Sequence, residues 1–149
     1  MGNLIFKKGD LFTSTSQAIG HGCNTKGLMV AGIAVQFKNR YESMFYAYKW
    51  LCEAGRLEPG TVFPYYAAET DRRVIYNIAS QENPGANAEA VLLYRGLVET
   101  FQHMQRNGLN TLGLPAIGAG IGGLERDSVI YAIDRALDGF EITVEFWEL

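Results

Sequence analysis

The sequence predicts a three-layer α/β/α fold on a mixed, mostly parallel central sheet, and three observations carry that expectation. Short apolar runs alternate with longer helical patterns down the whole chain. The run around Leu112 and Leu114 is apolar with little polar alternation, as a central strand buried on both faces would be. Glycines follow three helical patterns, at Gly55, Gly108 and Gly139, where left-handed C-caps would call for them.

Taken in order, the expected strands are Asn3–Phe6, Ala18–His21, Thr61–Tyr65, Arg73–Ile78, Thr111–Pro115 and Ile142–Phe146. The last alternates Ile142, Val144 and Phe146 against Thr143 and Glu145, so one face should meet the core. Ala90, Tyr94, Leu97, Val98, Phe101 and Met104 recur at helical spacing and form one apolar stripe. Val129, Ile130, Ile133, Ala136 and Leu137 repeat the pattern on a later helix. Phe45, Tyr46, Tyr48 and Trp50 also have helical spacing and read as core. No repeat, linker or low-complexity tract divides the chain, so residues 1–149 read as one domain.

Bulk composition narrows the function. The 149 residues carry a net charge of −3 with both signs interspersed, and no Lys/Arg stripe marks a nucleic-acid groove. Cys23 and Cys52 match no metal or disulfide framework, and His21 and His103 lie far apart without ligand-spaced carboxylates, so neither a metal nor a cofactor is expected. No apolar run is long enough to cross a membrane and no targeting stretch opens the chain, so a cytoplasmic location is expected.

Two glycine-rich loops follow expected strands. The first runs from His21 through Asn24 and Gly27 to Gly32, and the second is Ile117-Gly118-Ala119-Gly120-Ile121-Gly122-Gly123. Glycines admit close backbone approach and positive φ, and exposed N–H groups beside a helix start form an anion nest. Facing each other, two such loops could hold a diphosphate without a basic side chain. Neither is a P-loop, lacking its lysine and hydroxyl, and the glycine spacing of the second is wrong for a dinucleotide fingerprint. Tight structural turns would produce the same spacing.

Three blocks together resemble the macrodomain family. They are Gly9-Asp10-Leu11, then Cys23-Asn24 with Gly27, Met29, Gly32-Ile33-Ala34 and Phe37, and finally Leu114 through Leu124. Their order and separation match over essentially the whole chain, and within the family they look most like the ALC1-like branch. The resemblance implies a cleft for ADP-ribose or a derivative, with nucleic acid a partner only as an ADP-ribosylated substrate. Asp10 would accept a hydrogen bond from the adenine amino group beside the Leu11 amide. Asn24 would orient the distal ribose. Gly32, Ile33 and Ala34 would form one phosphate loop, and Ile117, Gly118, Ala119, Gly120, Ile121 and Gly122 the other. Phe146 falls where the family places an aromatic against adenine, although a core role or a contact from Trp147 would fit as well.

The sequence also departs from the family. Antitoxin-type DNA ADP-ribosyl glycohydrolases carry a catalytic lysine at the position aligned with Gln81, and a glutamate-deacylating relative has an aspartate at Gly122. Neither an amide nor a glycine can replace those groups. Phosphatase members acting on ADP-ribose 1″-phosphate look similar at His21 and Ser80. Histidine titrates near neutrality, so His21 is the expected acid/base, with Asn24 positioning the sugar and Ser80 adding a hydrogen bond. The leading expectation is hydrolysis of ADP-ribose 1″-phosphate. A non-catalytic reader or nucleotide sponge is the alternative, as is an ADP-ribosyl ester or DNA ADP-ribosyl hydrolase without the lysine.

Overall fold

The computed structural model describes residues 2–117 and 122–149. Strands β1 (Asn3–Lys8), β2 (Ala18–Cys23), β3 (Val62–Tyr66), β4 (Val74–Ala79), β5 (Thr111–Leu114) and β6 (Thr143–Glu148) form one sheet. Helices α1 (Ile33–Arg40), α2 (Glu42–Glu53), α3 (Ala90–Arg106) and α4 (Arg126–Ala136) cover it. The strand order is β1-β6-β5-β2-β4-β3, parallel throughout except for β3 against β4. This is the mixed, mostly parallel α/β/α architecture that the alternation predicts.

Observed strands lie within two residues of the expected ones. β5 stops at Leu114 rather than Pro115, because proline has no N–H to continue a ladder. Pro64 is accommodated because β3 lies at the sheet edge. Gly55, Gly108 and Gly139 all have positive φ (68°, 69° and 86°) beyond the ends of α2, α3 and α4, as predicted.

Side-chain parity on the strands builds two cores. Ala18, Tyr76, Ile78, Leu112, Leu114, Val144 and Phe146 face α3 and α4. Leu11, Ile19, Cys23, Ile75 and Ala79 face α1 and α2, where they meet Phe37, Met44, Phe45 and Tyr48. The α3 stripe is rotated from its expected position. Leu93 and Thr100 are fully buried whereas Tyr94 is exposed. Thr100 can enter the core because its hydroxyl donates to the Gly96 carbonyl at 2.8 Å, within its own helix. The α2 aromatics divide similarly: Phe45 and Tyr48 are buried, Tyr46 and Trp50 exposed.

Gly96 is where α3 presses closest on the sheet. A Cβ there would lie 2.6 Å from Ile78 Cγ2, a β-branched atom that cannot swing away. Gly96→Ala should therefore destabilise the fold by about 1–2 kcal/mol, since overpacking outweighs the alanine helix preference of about 1 kcal/mol. Denaturant unfolding measures this, and a stabilised variant would contradict the packing.

Candidate functional site

β5, β2 and β4 stand side by side, so the segments leaving their carboxyl ends meet at one edge of the sheet, where open α/β sheets place their ligands. A cleft forms there. Its walls are the first glycine loop (Gly22, Cys23, Asn24, Leu28 and Val30 to Ala34), the connector after β4 (Ser80, Gln81, Pro84 and Gly85), and Pro115, Ala116, Ile117 and Gly122 of the second loop. None of these described lining residues is charged. Gly118, Ala119, Gly120 and Ile121 lie outside the described residues.

Gly32 caps α1 with φ 60° and ψ −143°, a conformation essentially confined to glycine. The following Ile33 and Ala34 line the cleft, and N–H groups of a first helical turn have no acceptor within the helix. They supply the partial positive charge that anions seek.

Asn24 is nearly buried, and its carboxamide is heavily engaged. Oδ1 accepts from the Lys26 N–H at 2.9 Å, the Leu28 N–H at 3.4 Å and the Tyr48 hydroxyl at 2.9 Å, while Nδ2 donates to the Leu28 carbonyl at 2.9 Å. The Tyr48 hydroxyl also lies 2.8 Å from the Asn24 carbonyl.

The connector ties the walls together. Thr25 donates its N–H (3.1 Å) and hydroxyl (3.2 Å) to the Glu82 carbonyl, and the Ala88 N–H donates to the Gly122 carbonyl at 3.0 Å. Gln81 folds the intervening turn: Nε2 donates to the carbonyls of Asn83 (2.6 Å) and Gly85 (2.9 Å). Gly122 must be small, for a Cβ there would sit 3.2 Å from Ala88 Cβ and 3.4 Å from Gln81 Oε1. In the sequence Gln81 stands out only as a missing nucleophile; its clamp on the connector has no local signature.

Several expected site residues are placed away from the cleft. His21, the expected acid/base, is fully buried and does not line it. Its ring stacks on Phe37, centroids 4.0 Å apart and planes 7° from parallel. Asn77 Nδ2 donates to the Phe63 carbonyl, which turns Asn77 Oδ1 toward His21 Nε2 at 2.7 Å. Nε2 therefore carries the proton, and Nδ1 is a buried acceptor with no partner among the described residues. Burial pushes the imidazole pKa down to about 4, against a smaller upward pull from the Asn77 bond, so the ring is neutral at pH 7 and has no proton to spare for a leaving group.

Phe146 is fully buried on the α3/α4 face, edge-on to Phe6 with centroids 5.9 Å apart and beneath the Arg126 guanidinium. It offers no surface to a ligand. Trp147 points to the opposite face, part-buried beside Gly9, and its indole N–H donates to Glu145 Oε1 at 3.0 Å. Asp10 and Leu11 follow β1 at the same sheet edge but outside the lining of the cleft: Asp10 caps the short 3-10 turn Leu11–Thr13 through the Phe12 N–H at 3.0 Å, and Leu11 is buried. Asn24, Ser80, Gly32, Ile33, Ala34, Ile117 and Gly122 all line the one cleft. Ser80 is fully buried at the cleft, and its Oγ has no partner among the described residues. Burial pushes the Cys23 thiol pKa well up, which removes it as a nucleophile.

The Macro domain family model matches residues 21–133, a span that contains both loops and the connector. The chain belongs to the macro domain family. This macro domain is 30% identical to a DNA ADP-ribosyl glycohydrolase of Thermus aquaticus over 97% of its own length and 40% of the relative's. It thus spans well under half of that longer protein. The macrodomain of Thermus aquaticus DarG superposes with a TM-score of 0.89 at 29% identity, covering all of both chains. Thermosipho africanus DarTG in complex with ADP-ribose gives a TM-score of 0.86 at 25% identity, covering 97% of this chain and 41% of that one.

Among the described residues of the macro domain, no three His, Cys, Asp or Glu side chains converge as metal ligands would. No helix of the described residues is long and apolar enough to cross a membrane.

Proposed function

We propose that this macro domain binds ADP-ribose in the cleft and hydrolyses the bond between its distal ribose and an attached group. The observation that carries the reading is the cleft's chemistry: backbone from glycine loops and a helix start, with no charged side chain among the described lining residues. Such a cradle suits a diphosphate held by main-chain donors. The Thermus relative named as a DNA ADP-ribosyl glycohydrolase and the Thermosipho structure with bound ADP-ribose support both halves of the reading.

In this reading Gly32, Ile33 and Ala34 hold one phosphate and the second loop, Ile117 to Gly122, holds the other. Asp10 and the Leu11 amide meet the adenine, with Trp147 rather than Phe146 as its aromatic neighbour. Asn24 meets the distal ribose and Ser80 donates to the departing oxygen. Gln81 offers no nucleophile, so water attacks: its oxygen bonds to the distal ribose carbon, the bond to the attached group breaks, and the water proton leaves with that group. Hydrolysis of ADP-ribose 1″-phosphate is the second reading, favoured by the Ser80 hydroxyl at the cleft, which has no partner among the described residues.

The test is ³¹P NMR on ADP-ribose, ADP-ribose 1″-phosphate and an ADP-ribosylated oligonucleotide, with protein first catalytic and then stoichiometric. Free ADP-ribose from the oligonucleotide is the expected result. Release of inorganic phosphate would establish the second reading instead. Shifted diphosphate resonances without turnover would reduce the macro domain to a reader, and unshifted ones would remove the ligand assignment.

A further inference from the structure

The buried hydroxyl of Tyr48 has a partner that packing alone does not require. Tyr48 lies on α2, fully buried among Phe45, Met44 and Leu57, yet its oxygen reaches both Asn24 Oδ1 and the Asn24 carbonyl at the cleft. Burial raises the phenol pKa far above neutrality, so the group is a permanent donor. Oδ1 accepts from two backbone N–H groups and shares the single proton of this hydroxyl with the Asn24 carbonyl. These neighbours also fix which end of the carboxamide is oxygen, because an NH₂ in that place would face two N–H donors. On the other side, one Nδ2 hydrogen is used by the Leu28 carbonyl. The second Nδ2 hydrogen, on a residue that lines the cleft, has no acceptor among the described residues.

We propose that Tyr48 is a positioning residue for ligand binding: it locks the Asn24 carboxamide so that Asn24 offers the cleft a single hydrogen-bond donor and no acceptor. The ligand atom facing Asn24 is therefore an acceptor oxygen, of a ribose or a phosphate, and not the hydrogen of a sugar hydroxyl. This deepens the ADP-ribose reading and rests on it. The physical basis is that a polar group held in its binding orientation loses little conformational freedom when the ligand arrives. Without the tyrosine hydroxyl the carboxamide can rotate and present either end.

Titration calorimetry with ADP-ribose on wild type, Tyr48→Phe, Asn24→Ala, Asn24→Asp and the Tyr48→Phe/Asn24→Ala double variant tests the assignment. Tyr48→Phe should weaken binding about 10-fold and Asn24→Ala about 30-fold, as loss of one oriented hydrogen bond does. Asn24→Asp should bind more weakly than Asn24→Ala, because a carboxylate has no donor. The double variant should match Asn24→Ala within about twofold, since Tyr48 acts only through Asn24. Unchanged affinity in Tyr48→Phe, or losses that multiply in the double variant, would overturn the positioning role and leave the ADP-ribose reading standing. A wild-type protein that does not bind ADP-ribose would overturn both. Should a variant fail to melt cooperatively, the wild-type side-chain amide spectrum decides: one Asn24 Nδ2 proton should shift on adding ADP-ribose, and movement of both or neither contradicts the lock.

Discussion

Replacing Gly32 with alanine should weaken ADP-ribose binding at least 100-fold while the protein still folds. The residue sits at φ 60° and ψ −143°, where any Cβ is strained by roughly 1–3 kcal/mol. A domain with two packed cores can absorb that cost, but the local backbone relieves it by rotating. Gly32 is the cap of α1, so the rotation redirects the amides of Ile33 and Ala34, which line the cleft. Main-chain donors cannot be compensated by a nearby rotamer as a lysine could. Calorimetry alongside a circular dichroism melt separates the two effects. A melting point lowered by a few degrees with affinity lost is the expected pair. Affinity within threefold of wild type would mean that the start of α1 does not carry the ligand's charge.

His21 should make the fold acid-sensitive well above the range where carboxylates titrate. In the folded chain its pKa is pushed down to about 4; unfolded, it returns to about 6.5. Above pH 6.5 both states are neutral and the residue leaves stability untouched. As pH falls from 6.5 through 4 the unfolded chain takes up a proton that the folded chain refuses, and stability drops by roughly 3 kcal/mol before levelling off. His103 is also lowered, by burial and by Arg106, so a variant must isolate the source. His21→Asn keeps a small neutral polar group opposite Asn77; it should be less stable at pH 7.5, yet show a flatter decline between pH 6.5 and 4.5. Imidazole ¹⁵N shifts supply the direct check, with the His21 ring still neutral at pH 5. A ring protonated at pH 6 would place His21 in contact with solvent and return it to consideration as an acid.

The same residue shows what could be read in the sequence and what could not. Strand parity puts His21 on one face of β2 with Ile19 and Cys23, so its burial beside two apolar neighbours was legible. Its closeness in sequence to Asn24 points instead toward the cleft. Legible too were the strands and the capping glycines, because each depends on local pattern. The order β5-β2-β4 was not: which parallel strands pair is decided by crossover paths rather than by anything local. That order is what brings Ser80 and Gln81 to the same cleft as the first glycine loop. The rotation of the α3 stripe has a similar cause. Tyr94 and Leu93 are both apolar enough for the core, and the tertiary approach of Gly96 to Ile78 goes with the face that buries Leu93. Tyr48 was recognisable as core, but no periodicity records where a hydroxyl points.

The connector between β4 and α3 is part of the cleft as well as a link between two elements. A surface loop ordinarily tolerates changes of length because its middle touches nothing that matters. This one is fastened at Thr25 on one side and at Gly122 on the other, and thereby acts as a spacer bar between the jaws. Its residue count sets the gauge of the opening. A single insertion between Glu82 and Ala88 would therefore resize the mouth without altering any residue of either glycine loop.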